Sequence, residues 1–176
     1  MAGTLLEGSC HCQRVQFKVR SHTPVPYMRC FCSICRKLQG GSGSNINIMG
    51  IASTLQVSAG QAHIKTYKAI PERRDPKTHK VMQEPGMNRL FCAECGSYLW
   101  GFDDKYPENV YPFASAIDTP LPTPEHVVQI KLDSAPAWAH PDQPVYQDAA
   151  HHTQLFNGYP EHSIHDWHQK HGQFKD

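Results

Sequence analysis

The sequence predicts a mainly all-β domain that ends in a short helical tail. Fourteen prolines and twelve glycines among 176 residues disfavour long helices and favour short strands joined by turns. Several stretches alternate apolar and polar side chains, as Val15, Phe17 and Val19 do, and this period of two is typical of a strand with one buried face. Apolar residues make up 39% of the chain and its mean hydropathy is −0.54, so we expect hydrophobic burial to be supplemented by another source of stability.

The predicted strands follow one another with little helix between them. A polar, charged segment at 70–89 contains three prolines and is predicted to be a long loop or insertion. The strand candidates are 15–19, 45–49, 55–57, 63–67, a strand–turn–strand unit at 88–100, 110–116 and 127–132.

Only two short helical segments are predicted. A helical turn after Cys35 is expected to end at the glycines of 40–41, since glycine commonly ends a helix. A second helix is predicted at 163–170, with Ser163 or Asp166 near its start.

Charge and hydropathy argue against several functional classes. The net charge is +1 and the sequence pI is about 7.7, without the clustered basicity of nucleic-acid-binding proteins. Residues 1–10 lack the basic and apolar regions of a secretory signal, and no window approaches the roughly 18 apolar residues of a membrane span. We therefore expect a cytoplasmic protein that acts on a small molecule, not on nucleic acid or a membrane; its oligomeric state stays open.

Seven cysteines carry the strongest chemical signal in the chain. They form a Cys-x-Cys at 10 and 12, a Cys-x-Cys-x-x-Cys at 30, 32 and 35, and a Cys-x-x-Cys at 92 and 95. In a reducing compartment such cysteines are more often metal ligands or nucleophiles than disulfides, and an odd number cannot pair completely. Close pairs bring two sulfurs to one ion, and tetrahedral zinc takes four ligands at about 2.3 Å. The sequence therefore predicts zinc at two sites.

Seven sulfurs divide into one set of four and one set of three. A four-thiolate site is closed and structural, whereas a three-thiolate site leaves a coordination position for water, substrate or another protein ligand. Spacing favours Cys30, Cys32 and Cys35 as the set of three because they are local in sequence, but it does not fix the pairing. Isolated core cysteines do not cluster in this way, and the βαβ pattern of a redox Cys-x-x-Cys is missing.

Three stretches of the chain resemble one known family. They are Gly8–Phe17, Cys30–Gly40 and Phe91–Ser97, and the later segments 124–128 and 134–138 are also similar. Together they resemble the glutathione-dependent formaldehyde-activating enzyme family, which includes the centromere protein V type.

The resemblance implies a twisted, Mss4-like β fold (a β-tent), with a zinc-binding domain at 1–140 and a C-terminal tail at 141–176 packed on it. It also implies two zinc ions per chain, a structural one held by four cysteines and a second, open one held by three. These ligand sets are Cys10, Cys12, Cys92 and Cys95, and Cys30, Cys32 and Cys35. The chain departs from the family at Gln13, where glycine is usual, and in the length of 70–89.

The resemblance further implies a carbon–sulfur lyase that acts on thiol adducts, with S-(hydroxymethyl)glutathione, formed from formaldehyde and glutathione, as the type substrate. Cys30, Cys32 and Cys35 would form the catalytic centre with Arg36. Three thiolates on one Zn²⁺ carry a net negative charge, which Arg36, or else Lys37 or Arg89, would offset. Two alternatives stay open: an enzyme of the same scaffold with another thioether or aldehyde substrate, and a non-catalytic zinc-stapled interaction module.

Histidines and tryptophans are concentrated in the second half of the chain. A regularly spaced histidine series could form a further metal site, but we expect an exposed polar helix instead: His162, His165, His168 and His171. Three tryptophans are expected to pack in the core or under the tail: Trp100, Trp138 and Trp167.

Overall fold

The computed structural model describes residues 3–39, 41–69, 72–74, 78, 81–83, 86–139 and 152–176. Over these residues it contains fourteen strands, two α-helices and several single-turn 3-10 segments. The strands are β1 (Thr4–Ser9), β2 (Gln16–Ser21), β3 (Met28–Cys30), β4 (Asn45–Ile46), β5 (Gly50–Ile51), β6 (Gln56–Ala59), β7 (Ile64–Lys68), β8 (Glu72–Arg74), β9 (Val81–Gln83), β10 (Asn88–Cys92), β11 (Tyr98–Phe102), β12 (Asn109–Pro112), β13 (His126–Ile130) and β14 (His152–Leu155). The helices are α1 (Ser33–Gln39) and α2 (Ile164–Lys170).

The described strands form four sheets. Their orders are β1-β2-β6, β5-β12-β11-β10-β7, β14-β13-β3-β4 and β8-β9. Most neighbours are antiparallel, whereas β13 runs parallel to both β3 and β14. The prediction of a mainly all-β fold with a short helical tail is confirmed.

The larger hydrophobic core lies between the first two sheets. Phe17 and Val19 of β2 are 2% and 0% exposed, as their alternation with polar residues predicts. The ring of Phe17 lies 4.9 Å from that of Trp100 of β11, so this aromatic pair joins the two sheets. Each such side chain stabilises the fold by roughly 1.5–3 kcal/mol through burial. Cys10 and Cys92 belong to the same core cluster.

Several predicted elements have different limits in the structure. The strand predicted at 45–49 is regular only over β4, and the one predicted at 110–116 ends at Pro112. Proline has no N–H to continue a ladder, and the chain turns into a 3-10 segment, Ala114–Ala116. In the predicted loop at 70–89, the described residues include the antiparallel hairpin of β8 and β9; the rest of that segment up to residue 85 lies outside the described part.

The C-terminal residues pack against the start of the chain. The ring of Trp167 of α2 stacks on Tyr27 at 3.8 Å, and Lys175 N–H donates to the carbonyl of His22 at 2.9 Å. Helix α2 begins with a capping box between Ser163 and Asp166, as its sequence predicts. The predicted boundary at residue 140 lies outside the described residues and stays a prediction. Within the described chain, no helix has the length and apolar character needed to cross a membrane.

Candidate metal centres

Four cysteine sulfurs converge where the β1–β2 turn meets the β10–β11 turn. The Sγ atoms of Cys10, Cys12, Cys92 and Cys95, which we call the first cluster, all lie within 4.8 Å of one another. Cys12 Sγ lies 3.5 Å from Cys10 Sγ and 3.9 Å from Cys92 Sγ. A tetrahedron of sulfurs around an ion at 2.3 Å has edges of about 3.8 Å, so these spacings fit one bound ion. Bonded disulfide sulfurs are only about 2.05 Å apart, and all seven cysteines are free.

Each turn of the first cluster contains a residue with positive φ. Gln13 has φ 61° and Gly96 has φ 74°, in the left-handed region that glycine adopts freely and glutamine adopts at a cost. The Gln13 side-chain amide donates to Ser9 Oγ at 3.0 Å, which helps to hold this unusual conformation. Gln13, where the resembling family has glycine, therefore keeps the backbone geometry that the turn requires.

Hydrogen bonds stabilise negative charge on two sulfurs of the first cluster, those of Cys10 and Cys95. The Val15 N–H donates to Cys10 Sγ at 3.2 Å. Ser97 Oγ accepts from the His11 N–H at 3.1 Å and lies 3.3 Å from Cys95 Sγ. Burial raises the pKa of Cys95, but the hydrogen bonds from Ser97 outweigh it, so the pKa lies below its ordinary value. The pKa values of Cys12 and Cys92 are raised instead, by burial and by hydrogen bonds among the thiols, so the negative charge of the first cluster is centred on Cys95.

Three further sulfurs form a second cluster at the end of β3 and the start of α1. The Sγ atoms of Cys30, Cys32 and Cys35 lie within 4.8 Å of one another. Cys30 and Cys35 are 9% and 3% exposed, whereas Cys32 is only partly buried and forms the accessible side of the cluster. The Cys35 N–H donates to Cys32 Sγ at 3.4 Å, because α1 begins between the two cysteines. The second cluster could hold a metal ion and offers it three ligands.

Hydrogen bonds among the three thiols concentrate negative charge on Cys32. The thiols of Cys30 and Cys35 donate to it and hold its pKa well below the ordinary range of a cysteine. The hydrogen bond to Cys32 raises the pKa of Cys30 in turn. The second cluster is therefore anionic near neutral pH, in a largely buried position.

The cation beside the second cluster comes from β10. Arg89 is 6% exposed, and its Nη2 lies 3.7 Å from Cys35 Sγ. At that separation the guanidinium can donate a hydrogen bond to the Cys35 sulfur, and it lies beside the negative charge of the second cluster. Arg36 lies half-buried on α1, its buried Nε has no hydrogen-bond partner among the described residues, and Lys37 is exposed. The role predicted for Arg36 stays a prediction. Of the three cations that the sequence offered for this charge, Arg89 is the one that donates to a cysteine sulfur among the described residues.

Two cavities lie near the clusters. One of about 570 Å³ is bounded by the turns of the first cluster and by Leu38 of α1 and Tyr98 of β11. The other, of about 270 Å³, is lined by Arg29 of β3 and Gln129 of β13. Neighbouring strand residues point to opposite faces of a sheet, so Cys30 faces away from the smaller cavity. The larger cavity is thus the one that shares α1 with the second cluster.

The tail contributes packing near the second cluster. Trp167 is 3% exposed and lies in one core cluster with Cys30 and Cys35. His168 is fully buried, so the prediction of an exposed histidine series is wrong at this position: its two ring nitrogens pair with backbone groups, which offsets its burial. Trp138 is 62% exposed, contrary to the expectation that it packs in the core.

A family model and a curated relative point to the same family. A family model described as "Glutathione-dependent formaldehyde-activating enzyme" matches residues 5–130, a range that contains all seven cysteines. A Halomonas elongata protein named "Putative glutathione-dependent formaldehyde-activating enzyme" is 44% identical over 168 residues, which are 96% of this chain and 97% of that protein. The crystal structure of a Rhodobacter sphaeroides protein is similar with a TM-score of 0.48 and 23% identity, over 66% of this chain and 91% of that one.

Proposed function

The chain belongs to the glutathione-dependent formaldehyde-activating enzyme family, and we propose that it is a zinc-dependent carbon–sulfur lyase. Its substrates would be thiol–aldehyde adducts of the glutathione type, such as S-(hydroxymethyl)glutathione. In the forward direction the thiol sulfur forms a bond to the aldehyde carbon, and the thiol proton ends on the former carbonyl oxygen. The reverse reaction breaks the same carbon–sulfur bond and returns the proton to sulfur.

The observation that carries the proposal is the second cluster with its three sulfurs and one accessible side. Thiolate sulfurs are ligands that zinc prefers, the three of the second cluster lie within 4.8 Å of one another, and three ligands leave one tetrahedral position open. We propose that the first cluster holds a structural zinc and the second an open one. Zinc bound at the second cluster would supply a Lewis acid for the adduct oxygen and favour the thiolate form of a substrate thiol.

The chain's own residues would divide the remaining work. Cys30 and Cys35 are buried and keep bulk water from the inner side of the second cluster, while Cys32 lies on the side from which a substrate can approach. Arg89 supplies the positive charge that the cluster lacks. Leu38 lies one helical turn after Cys35, so the cavity of about 570 Å³ that it borders is a candidate cleft for the peptide part of the substrate.

The test combines metal content with adduct chemistry. Purified protein is expected to contain two zinc ions per chain and to accelerate both formation and cleavage of S-(hydroxymethyl)glutathione, followed by exchange NMR at equilibrium. Cys32→Ser is expected to lose one zinc and at least about 100-fold in the catalysed rate, whereas Ser33→Ala, an exposed neighbour on α1, keeps both. A zinc-loaded wild type that accelerates no thiol–aldehyde adduct would refute the lyase assignment. Acceleration with other thiols but not with glutathione would move the substrate to another thiol.

A further inference from the structure

Arg89 lies next to the second cluster, where its charge can affect which fourth ligand a bound metal ion accepts. Three thiolates and one Zn²⁺ carry a net charge of −1, so an anionic fourth ligand would bring the site to −2 in a largely buried position. We propose that Arg89 is a specificity-determining residue that makes the second cluster accept a thiolate as its fourth ligand in preference to a neutral donor. This inference rests on the zinc that we propose for the second cluster.

The contacts of Arg89 point to the cluster as its charge partner. It is 6% exposed, Nη2 lies 3.7 Å from Cys35 Sγ, and Nη1 donates to the carbonyl of Met87 at 3.4 Å. The buried Nε–H has no hydrogen-bond partner among the described residues. No carboxylate within the described chain forms an ion pair with Arg89, although a buried guanidinium normally requires one. The negative charge that compensates Arg89 is therefore that of the sulfurs.

The strand that carries Arg89 also carries a cysteine of the first cluster. Arg89 and Cys92 belong to the same strand, β10, which pairs with β7 on one side and β11 on the other. The strand that supplies a ligand to the first cluster thus presents the guanidinium to the second. Because β10 is held on both edges, the charge is preorganised and need not move when a ligand binds.

No other described cation has an equivalent place. Among the described residues, Arg89 is the one arginine or lysine side chain that donates a hydrogen bond to a cysteine sulfur. Lys37 is exposed to solvent, where its charge is screened. Removing the charge of Arg89 should therefore weaken the binding of an anion at the open position on the order of 10- to 100-fold, the range typical of outer-shell partners of a metal. A neutral ligand at the same position gains little from Arg89 and should be nearly unaffected.

The experiment compares an anionic and a neutral probe on cobalt-substituted protein. Co²⁺ replaces zinc at both clusters, and the spectrum of the Cys32→Ser variant is subtracted to isolate the second one. The second cluster is then titrated with 2-mercaptoethanol, which binds as a thiolate, and with imidazole, which binds as a neutral donor. The variants are Arg89→Met, Arg89→Lys and, as a matched control, Arg20→Met, which removes an arginine whose Nη1 contacts only the carbonyl of Gly3.

We expect Arg89→Met to weaken thiol binding about 10- to 100-fold and imidazole binding by less than about 2-fold. Arg89→Lys keeps the charge and should recover most of the thiol affinity, and Arg20→Met should match the wild type. Arg89→Gln serves as a second neutral variant if Arg89→Met does not fold. Equal weakening of both probes, or a lysine variant no better than methionine, would show a merely structural role and overturn the inference. A wild type that loads cobalt only at the first cluster would instead overturn the proposed function, and this inference with it.

Discussion

Replacing His168 by glutamine tests whether a buried, neutral imidazole helps to hold the C-terminal helix α2 in its place near the second cluster. His168 is fully buried, and its Nε2 accepts the Val25 N–H at 3.2 Å. An accepting Nε2 requires the neutral ring to carry its proton on Nδ1, which donates to the carbonyl of Ile164 at 2.8 Å. Burial lowers the pKa of His168 below its ordinary value of 6.5, and the nearby His171 and His165 act in the same direction. The folded protein therefore keeps this imidazole neutral.

The sign of the pH effect follows from this lowered pKa. Below about pH 6.5 the unfolded chain binds a proton that folded His168 does not, so stability is present above that pH and is lost as the pH falls. One such proton changes the free energy of unfolding by up to about 1.4 kcal/mol between pH 7.5 and 5.5. His168→Gln keeps an acceptor for Val25 but loses the bond to Ile164, so it should cost about 1–2 kcal/mol at pH 7.5.

The assay is urea unfolding at fixed zinc concentration, followed by tryptophan fluorescence at pH 7.5 and 5.5. The difference in free energy of unfolding between wild type and His168→Gln should be smaller at pH 5.5 than at pH 7.5 by up to about 1.4 kcal/mol, since glutamine does not titrate. Protonation of the cysteine ligands affects both proteins alike and cancels in the difference. A gap for His168→Gln that is the same at both pH values would refute the assignment of a neutral, buried imidazole.

Three further predictions concern the clusters and their turns. Cys12→Ser should abolish cooperative folding, since a structural zinc contributes roughly 10–16 kcal/mol, as much as the whole stability of a typical domain. Cys32→Ser should unfold near the wild-type urea concentration. An equal loss of stability in both variants would contradict a structural role for the first cluster and a catalytic role for the second. Gln13→Gly should be more stable than Gln13→Ala by about 1 kcal/mol in the same assay, because both lose the side-chain hydrogen bond and only alanine retains the cost of φ 61°. Equal free energies of unfolding for the two variants would argue against that backbone conformation. Gly60→Ala should lower the melting temperature by more than about 4 °C, since its φ is 76° and a Cβ would overlap the carbonyl of Arg14; an unchanged melting temperature would contradict this packing.

Local signals in the sequence were sufficient for much of the fold. The alternation of Val15, Phe17 and Val19 predicted β2, and the Ser163–Asp166 spacing predicted the start of α2, because these patterns report on neighbours in the same element. Three-residue strands such as β3 offer too few residues for a period, and its parallel pairing with β13 depends on residues a hundred positions away.

For the candidate metal centres, too, local sequence predicted some features and long-range contacts set the others. The spacing of the cysteines was enough to predict which side chains can bind metal, because closely spaced cysteines bring their sulfurs together from one turn wherever that turn lies. Cysteine spacing left the pairing of the turns at 10–12 and 92–95 open and the family resemblance implied it, whereas the folded chain shows that their sulfurs meet. The fold also shows that Arg89, and not Lys37, reaches the sulfurs. It also decided that His168 is buried. These outcomes depend on which face of a sheet each residue occupies and on which residues pack over it. Contacts between segments that are distant in sequence produce no periodic pattern of residues, so they could not be predicted from the sequence pattern.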